Sequence, residues 1–223
     1  MATIQKRQLP GELFLFLGMI FNSLANTLLI KANFGLSALS SLPYVLSLAF
    51  PILSNGTWNA IVPSFWLIFT MIAIKKLKPS YLLSFVLAFI FGFLIDQFSG
   101  MMLGWSNLMP AMILFFLAAI LILSIGISSF LICRLPLLPF DTVVRAFMME
   151  KDMGVRKART FFDLISIVLS TAISLVFMGR VAGIGTGTVI SALLMGTFVS
   201  HITKWIHARM DIKPRLIWLG KLI

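Results

Sequence analysis

Acidic side chains are scarce in this sequence, which has only 7 Asp and Glu, 2 His and 1 Cys among its 223 residues. So few acid–base groups cannot supply the paired carboxylates, nucleophile–His pairs or clustered metal ligands on which most enzymes depend. Cys133 has no second cysteine with which to form a disulfide, and we expect it to be a small buried apolar residue. We therefore expect no enzymatic activity, no metal and no cofactor.

Charged residues of either sign make up 11% of the chain and hydrophobic residues 60%. Soluble domains contain about 25% charged and about 45–50% apolar residues. A water-soluble domain of this length could not hide so much apolar surface, and disordered chains have the opposite composition. The composition predicts a single membrane domain over residues 1–223, with membrane lipid as its main partner.

The basic residues, 18 Lys and Arg that give a net charge of +11, do not follow the pattern of a nucleic-acid binder. They lie in short clusters between long neutral stretches, as in the cytoplasmic loops of membrane proteins. We therefore expect no nucleic-acid partner. The segment 206–223 is predicted to be a basic cytoplasmic tail that attracts anionic lipid headgroups.

Neutral windows between charged residues predict the membrane spans, because a helix needs roughly 20 residues to cross the hydrocarbon. Four windows match one span each, one window leaves a single span at about 108–131 after a polar loop, and one is longer than a helix. In the longest window, 58–74 is a clear span, whereas 35–50 is short, rich in serine and interrupted by a proline. The windows are 13–30, 32–74, 79–95, 97–133, 164–179 and 181–203.

The positive-inside rule decides whether 35–50 and its counterpart 135–150 cross the membrane. If both enter and return, there are six spans with both termini cytoplasmic, and 16 Lys and Arg lie inside against 2 outside. If both cross, the ratio falls to 11 against 6 and Arg145 is left in lipid. The sequence thus predicts six transmembrane helices plus two short re-entrant or broken helices.

The two halves of the chain, about 12–98 and 108–205, resemble each other in the order of their elements. Each reads as a long helix, a short broken segment and two further helices, and a shift of 104 residues places Gly92 on Gly196. Three spans per half make the second copy inverted, an architecture frequent in secondary transporters. We therefore predict an all-α polytopic membrane protein built as an inverted 3+3 repeat. The alternative is that any two hydrophobic halves align to some extent.

The two broken segments contain the main candidates for a substrate or ion site. Ser37, Ser40 and Ser41 make the first segment polar, and Asp141 stands at the expected N-cap of a helix in the second. Arg145, four residues later, lies on the same helix face as Asp141. We predict that the two helix N-termini face each other and line a site. The alternative is that Asp141 and Arg145 form an ion pair that only anchors a loop.

Further candidates are polar residues within or beside the other spans, because ionisable groups at membrane depth are often functional. Asp96 closes the third predicted span, and the shift of 104 aligns it with Ser200, beside His201. Thr186 lies in the glycine-rich run 183–188, which lacks the residues of a phosphate-binding loop and is expected to allow close helix approach.

Two asparagines, Asn22 and Asn26, share one face of the first span, one turn apart. We expect them to form hydrogen bonds between helices, with ligand binding as the alternative.

Five short motifs resemble those of the YczE/YyaS/YitT-type family of bacterial integral membrane proteins, over residues 12–205. The resemblance implies a bacterial cytoplasmic membrane protein with a suspected transport role. The first-half motif departs from the family pattern, since Ala-Leu-Ser at 38–40 replaces a Pro-Trp-Asp-like sequence and only Asp141 retains an acid. The motifs are GLSAL at 35–39, LPY at 42–44, NGTWN at 55–59, LPFDT at 138–142 and GIGTGT at 183–188.

The leading hypothesis is a small-solute transporter or permease that works by alternating access. Asp141 would couple transport to a proton or cation, and the serines of the first segment would contact a small-molecule or ion substrate. One alternative is a substrate-binding membrane subunit of an ATP-driven importer. Another is a non-transporting scaffold or regulator that binds partners through the loop 145–159. Assembly as a homo-oligomer is left open.

Overall fold

The computed structural model of the protein describes residues 7–75, 79–105, 107–133, 135, 138–143, 146 and 155–213. Most of this part of the chain is helical, which confirms the prediction of an all-α fold. In chain order the delimited elements are β1 (Arg7–Pro10), α1 (Gly11–Ala32), α2 (Ala38–Ala49), α3 (Asn55–Ile74), α4 (Pro79–Met101), α5 (Met109–Ile132), α6 (Val155–Met178), α7 (Thr186–Arg209) and β2 (Met210–Lys213).

Six of these helices are long and apolar enough to cross a membrane, as predicted: α1, α3, α4, α5, α6 and α7. Large apolar side chains are exposed on their outer surfaces, among them Ile72 and Leu193, at 69% and 74%. Water would not tolerate so extended an apolar surface, whereas lipid covers it without cost. The chain is therefore a multi-pass membrane protein.

The two strands bring the beginning of α1 and the end of α7 together. β1 and β2 pair in parallel, with Arg7 opposite Met210 and Pro10 opposite Lys213. We call this end of the bundle the sheet end, and the opposite end, where α1 ends and α7 begins, the loop end. Because the chain starts and finishes its spans at the same end, it crosses an even number of times.

α2 is too short to cross a bilayer, since its 12 residues extend about 18 Å against a hydrocarbon thickness of roughly 30 Å. Near its start, the Ser41 hydroxyl lies 3.0 Å from that of Ser170 in the middle of α6. Just after its end, the Phe50 ring packs on Phe177 in the last turn of α6, with centroids 4.9 Å apart. α2 therefore starts inside the bundle and returns to the loop end, as predicted for a re-entrant segment.

The second predicted re-entrant segment, 135–150, is described only in part, and Arg145 lies outside the described residues. The stretch 139–143 is helical. Asp141 thus lies in the first turn of a helix and not at its N-cap, which corrects the sequence-based expectation. Pro139 begins the helical stretch because a proline has no N–H to lose at that position.

α1 and α5 run antiparallel through the centre of the bundle and approach closely at glycines. A Cβ added to Gly18 would lie 2.6 Å from the ring of Phe130, and one added to Gly126 would lie 2.6 Å from Nδ2 of Asn22. Small residues of this kind let membrane helices associate through dispersion contacts over a long shared surface. Around this pair, α3 packs on α4, α2 packs on α6 and α3, and α7 packs on α5.

Candidate functional site

The loop 33–37, which connects α1 to α2, is hydrogen-bonded to the glycine-rich run 183–188. Gly35 has a φ of +114°, a conformation that other residues rarely adopt. A Cβ at this position would also lie 2.6 Å from the backbone nitrogen of Gly185. The glycines of both segments thus allow two backbones to touch. Two hydrogen bonds join them, from Leu36 N–H to the Gly183 carbonyl at 2.9 Å and from Gly187 N–H to the Phe34 carbonyl at 2.8 Å.

A group of polar side chains surrounds the first turn of α2 inside the bundle. The Ser37 hydroxyl caps the helix by accepting from Ser40 N–H at 3.4 Å, and it donates to the Ser40 hydroxyl at 3.1 Å. Nδ2 of Asn26, on α1, donates to the same Ser40 oxygen at 3.0 Å. Ser41 meets Ser170 of α6. We call these five residues the α2 cluster.

Asn26 is the member of the α2 cluster whose hydrogen bonding is incomplete. Its side chain is 4% exposed, and its Oδ1 atom has no hydrogen-bond partner among the described residues. Exchanging the amide oxygen and nitrogen would only move the deficit to the other atom. A buried polar atom without a partner costs about 1–3 kcal/mol. Such an atom beside a helix N-terminus points to a ligand or water that completes the site.

Sequence reasoning found three of the five residues, Ser37, Ser40 and Ser41, and the structure brings them together. For Asn26 the sequence favours hydrogen bonds between helices, with ligand binding as the alternative. The bond to Ser40 agrees with the first expectation, and the unpaired oxygen is compatible with the second. Sequence reasoning missed Ser170. The signal was present, because serines recur every four residues on one face of α6, at 166, 170 and 174, and all three are buried.

The two short segments meet in the interior through apolar residues. Leu39, in the first turn of α2, packs against a cluster that contains Phe140 and Val143 of the second segment. Asp141 is partly buried beside them. The contact between the predicted helix starts is therefore apolar where it is described.

Asp96 lies in a different place, at the loop end between α3 and α4. Its carboxylate accepts from the Ser54 hydroxyl at 2.5 Å and from Gly56 N–H at 2.8 Å, so it caps the start of α3 from a neighbouring helix. The two backbones touch there, because a Cβ on Gly56 would collide with the carbonyl oxygen of Gly92. We call Ser54, Gly56, Gly92 and Asp96 the α3–α4 clasp.

The remaining candidates lie on α7 and are not brought to the α2 cluster. Thr186, Ser200 and His201 are all exposed. Nδ1 of His201 is 2.8 Å from the Thr197 carbonyl of its own helix. Within the described ranges, no three His, Cys, Asp or Glu side chains converge as metal ligands would.

Comparison with known proteins gives a family without an assigned activity. Residues 9–204 match a family described as a family of unknown function, DUF6198. The chain belongs to the DUF6198 family. No curated protein and no solved structure matches it. The DUF6198 match contains all five residues of the α2 cluster and the whole α3–α4 clasp, so both features lie within the family region.

Chemically, the α2 cluster of this DUF6198 chain is a set of uncharged donors and acceptors at the N-terminus of a buried helix. The helix dipole adds a partial positive charge of about half an elementary charge there. The arrangement can hold a small polar molecule by hydrogen bonds. It offers no nucleophile paired with a base, and it offers amide and hydroxyl oxygens rather than the charged ligands that most metal sites use.

Proposed function

We propose that this DUF6198 protein is a small-solute transporter of a bacterial cytoplasmic membrane and that it works by alternating access. The observation that carries the proposal is the Oδ1 atom of Asn26, which is buried beside the short helix α2 and has no partner among the described residues. Irregular backbone at membrane depth persists only within protein or beside a water-filled cavity. In secondary transporters, interrupted helices supply the substrate site near the bilayer midplane.

The inverted repeat is part of this proposal. Asn22 and Gly126 are separated by 104 residues, the shift that aligns the two halves, and they lie against each other between α1 and α5. A residue contacts its own repeat partner only near a twofold axis. The contact therefore supports a pseudo-twofold axis through the middle of this helix pair, close to the α2 cluster.

We propose that the sheet end faces the cytoplasm. Of the Lys and Arg residues in the described ranges, only Lys31 and Arg180 lie at the loop end, as the positive-inside rule requires of the outer side. A membrane-impermeant maleimide should label a cysteine at Ile52, which is 91% exposed at the loop end, in intact cells. A cysteine at Lys75 should react only after lysis. Labelling in the reverse order would overturn this orientation.

A relation to YczE/YyaS/YitT-type proteins and a coupling role for Asp141 also belong to the proposal. Replacing Asp141 by Asn keeps the side-chain shape and removes its charge. The variant should insert normally and lose accumulation of substrate against a gradient. Full accumulation by Asp141→Asn would remove the coupling role without affecting the α2 cluster.

The transport proposal is tested with purified protein in liposomes. A panel of labelled small metabolites, charged and uncharged, is offered to wild type, Asn26→Ala and Asn22→Ala. The two asparagines are one turn apart on α1, but Nδ2 of Asn22 bonds to Gly18 of its own helix at 2.7 Å. We expect saturable uptake of at least one solute by wild type and by Asn22→Ala, and an apparent affinity about tenfold weaker in Asn26→Ala.

Uptake no faster than in empty liposomes for every solute would contradict a stand-alone transporter. Co-purification of an ATPase in that case would favour the alternative of a substrate-binding subunit of an ATP-driven importer. Neither result would support an enzyme, which we do not propose.

A further inference from the structure

We propose that the α2 cluster binds an uncharged solute carrying hydroxyl or amide groups, which donates a hydrogen bond to Asn26 and accepts one from the start of α2. The inference rests on the proposed transport function and adds the chemical class of its substrate. It follows from the acceptor, the donors and the charges around the site.

The acceptor is Oδ1 of Asn26. Its Nδ2 is already used by the Ser40 hydroxyl, so the amide is held in place while its oxygen stays unpaired. A neutral amide oxygen accepts well from O–H and N–H groups. A ligand group of that type would remove the cost of leaving the oxygen buried without a partner.

The donors are the first backbone N–H groups of α2. Ser37 satisfies two N–H groups of the first turn, because Ser40 N–H and Ser41 N–H both donate to its carbonyl at 3.1 and 3.0 Å. Helix geometry leaves the N–H groups of Ala38 and Leu39 without an intrahelical partner. A ligand oxygen at the helix start can accept from them. The site therefore offers one fixed acceptor and adjacent donors, which suits a hydroxyl or a carboxamide.

The helices around the cluster carry no formal charge at its level. The sequences of α2, α3 and α5 contain no Asp, Glu, Lys, Arg or His, and α1 has none between Glu12 and Lys31. α6 has none after Asp163. In this environment an ionic ligand would lose its hydration without gaining a counter-charge, at a cost of several kcal/mol. The partial charge of one helix terminus is too small to compensate.

The second short segment does not change this balance. Asp141, the acid next to the residues that contact α2, is followed four residues later by Arg145, which is of opposite charge. The other charge of the segment, Glu150, is its last residue. The segment's described contact with α2 consists of apolar side chains around Leu39. A neutral polar ligand is the class that both segments accommodate.

The test measures uptake by proteoliposomes of uncharged probes (glycerol, erythritol, urea, acetamide, nicotinamide) and charged probes (acetate, lactate, phosphate, choline, putrescine). We expect saturable uptake of at least one uncharged probe and of no charged probe. Asn26→Ala should weaken the apparent affinity about tenfold, the effect of losing one hydrogen bond in a buried site. Asn26→Asp should admit choline or putrescine, because it places a negative charge in the site.

Asn22→Ala and elution as a single species on gel filtration control for folding, and Ser40→Ala provides a second, smaller perturbation of the same site. Saturable uptake of charged probes alone, lost in Asn26→Ala, would overturn the inference and leave the transport proposal standing. Uptake of uncharged probes that is unchanged in both Asn26→Ala and Ser40→Ala would also overturn it. Transport itself fails only if no solute of the wider panel is taken up.

Discussion

Two sets of consecutive helices, α3 with α4 and α6 with α7, differ sharply in packing. α3 and α4 are closed together by the α3–α4 clasp, with backbone touching backbone at Gly56 and Gly92. Among the described residues, α6 and α7 show no comparable contact, and a Cβ on Gly196 would have no atom within 4 Å. α3 and α4 are thus in close contact, whereas α6 and α7 are separated.

The residues that make the difference are visible in the sequence. The shift of 104 places Thr160 on Gly56 and Gly196 on Gly92, so the second pair has only one of the two glycines. The same shift aligns Asp96 with Ser200. A serine has no carboxylate with which to accept hydrogen bonds from the start of a neighbouring helix. In a transporter, a strong contact on one side and a weak one on the other would favour a single resting state.

The largest effect is expected from filling the backbone contact of the clasp. Gly56→Leu should prevent α3 from packing on α4, because the new side chain would collide with the main chain of α4 and no flexible group could yield. Overpacking typically costs 1–3 kcal/mol and occasionally more. We expect loss of monodisperse protein on gel filtration. Gly196→Leu is the matched control and should behave as wild type, and equal damage from both would refute the contrast between the pairs.

A somewhat smaller effect is expected from Asp96→Ala. The change removes two hydrogen bonds to a carboxylate and leaves the Gly56 N–H without its acceptor, whereas the Ser54 hydroxyl still has Thr57 Oγ1 at 2.7 Å. Hydrogen bonds to charged groups are worth about 1.5–3 kcal/mol each. The midpoint of thermal unfolding in detergent should fall, and the fall should be smaller for Asp96→Asn. Ser200→Ala, the aligned exposed position, should leave the midpoint unchanged.

The next prediction concerns transient contact between α6 and α7. In a Cys133→Ser background, Thr160→Cys with Gly196→Cys should give a partial intramolecular disulfide in membranes if the protein alternates between two states. Adding Asp96→Ala should raise the cross-linked fraction, since it weakens the competing closed pair. Thr160→Cys alone controls for links between copies. A pair that never cross-links, even with Asp96→Ala, would mean that the open arrangement is permanent.

The smallest expected change comes from Ser41→Ala. The Ser41–Ser170 bond ties α2 to α6, and hydrogen bonds between membrane helices average about 0.6 kcal/mol. The variant should lower the unfolding midpoint slightly and increase the 160–196 cross-link slightly. Ser129→Ala, whose hydroxyl bonds to Ile125 of its own helix at 2.9 Å, should not change the cross-link.

The spans and the short first segment could be predicted from sequence, whereas the packing between them could not. Gaps between charged residues predicted all six long helices, because a charge in lipid is unfavourable whichever neighbours the helix packs against. The same logic ended the third span at Asp96, but α4 continues to Met101. Backbone hydrogen bonding continues past a single acid when that acid has hydrogen-bond partners. The partners of Asp96, Ser54 and Gly56, lie 42 and 40 residues away in the sequence.

The candidate site shows the same limit. Serines in a short apolar segment predicted a polar turn within the membrane, and Ser37, Ser40 and Ser41 form such a turn. That Asn26 would bond to Ser40 and retain an open oxygen depends on how deeply the loop 33–37 descends beside α1. The glycine-rich run 183–188, nearly 150 residues later, fixes that depth. Local patterns contain no information on such a distant contact.

The parallel pairing of β1 with β2 has a consequence for biogenesis. Residue 7 leaves the ribosome long before residue 210, by on the order of tens of seconds at typical translation rates. β1 therefore remains unpaired while every helix between it and β2 is synthesised and inserted. The two strands can pair only after the last helix has been synthesised, so their pairing brings the two ends of the helical chain together late in biogenesis.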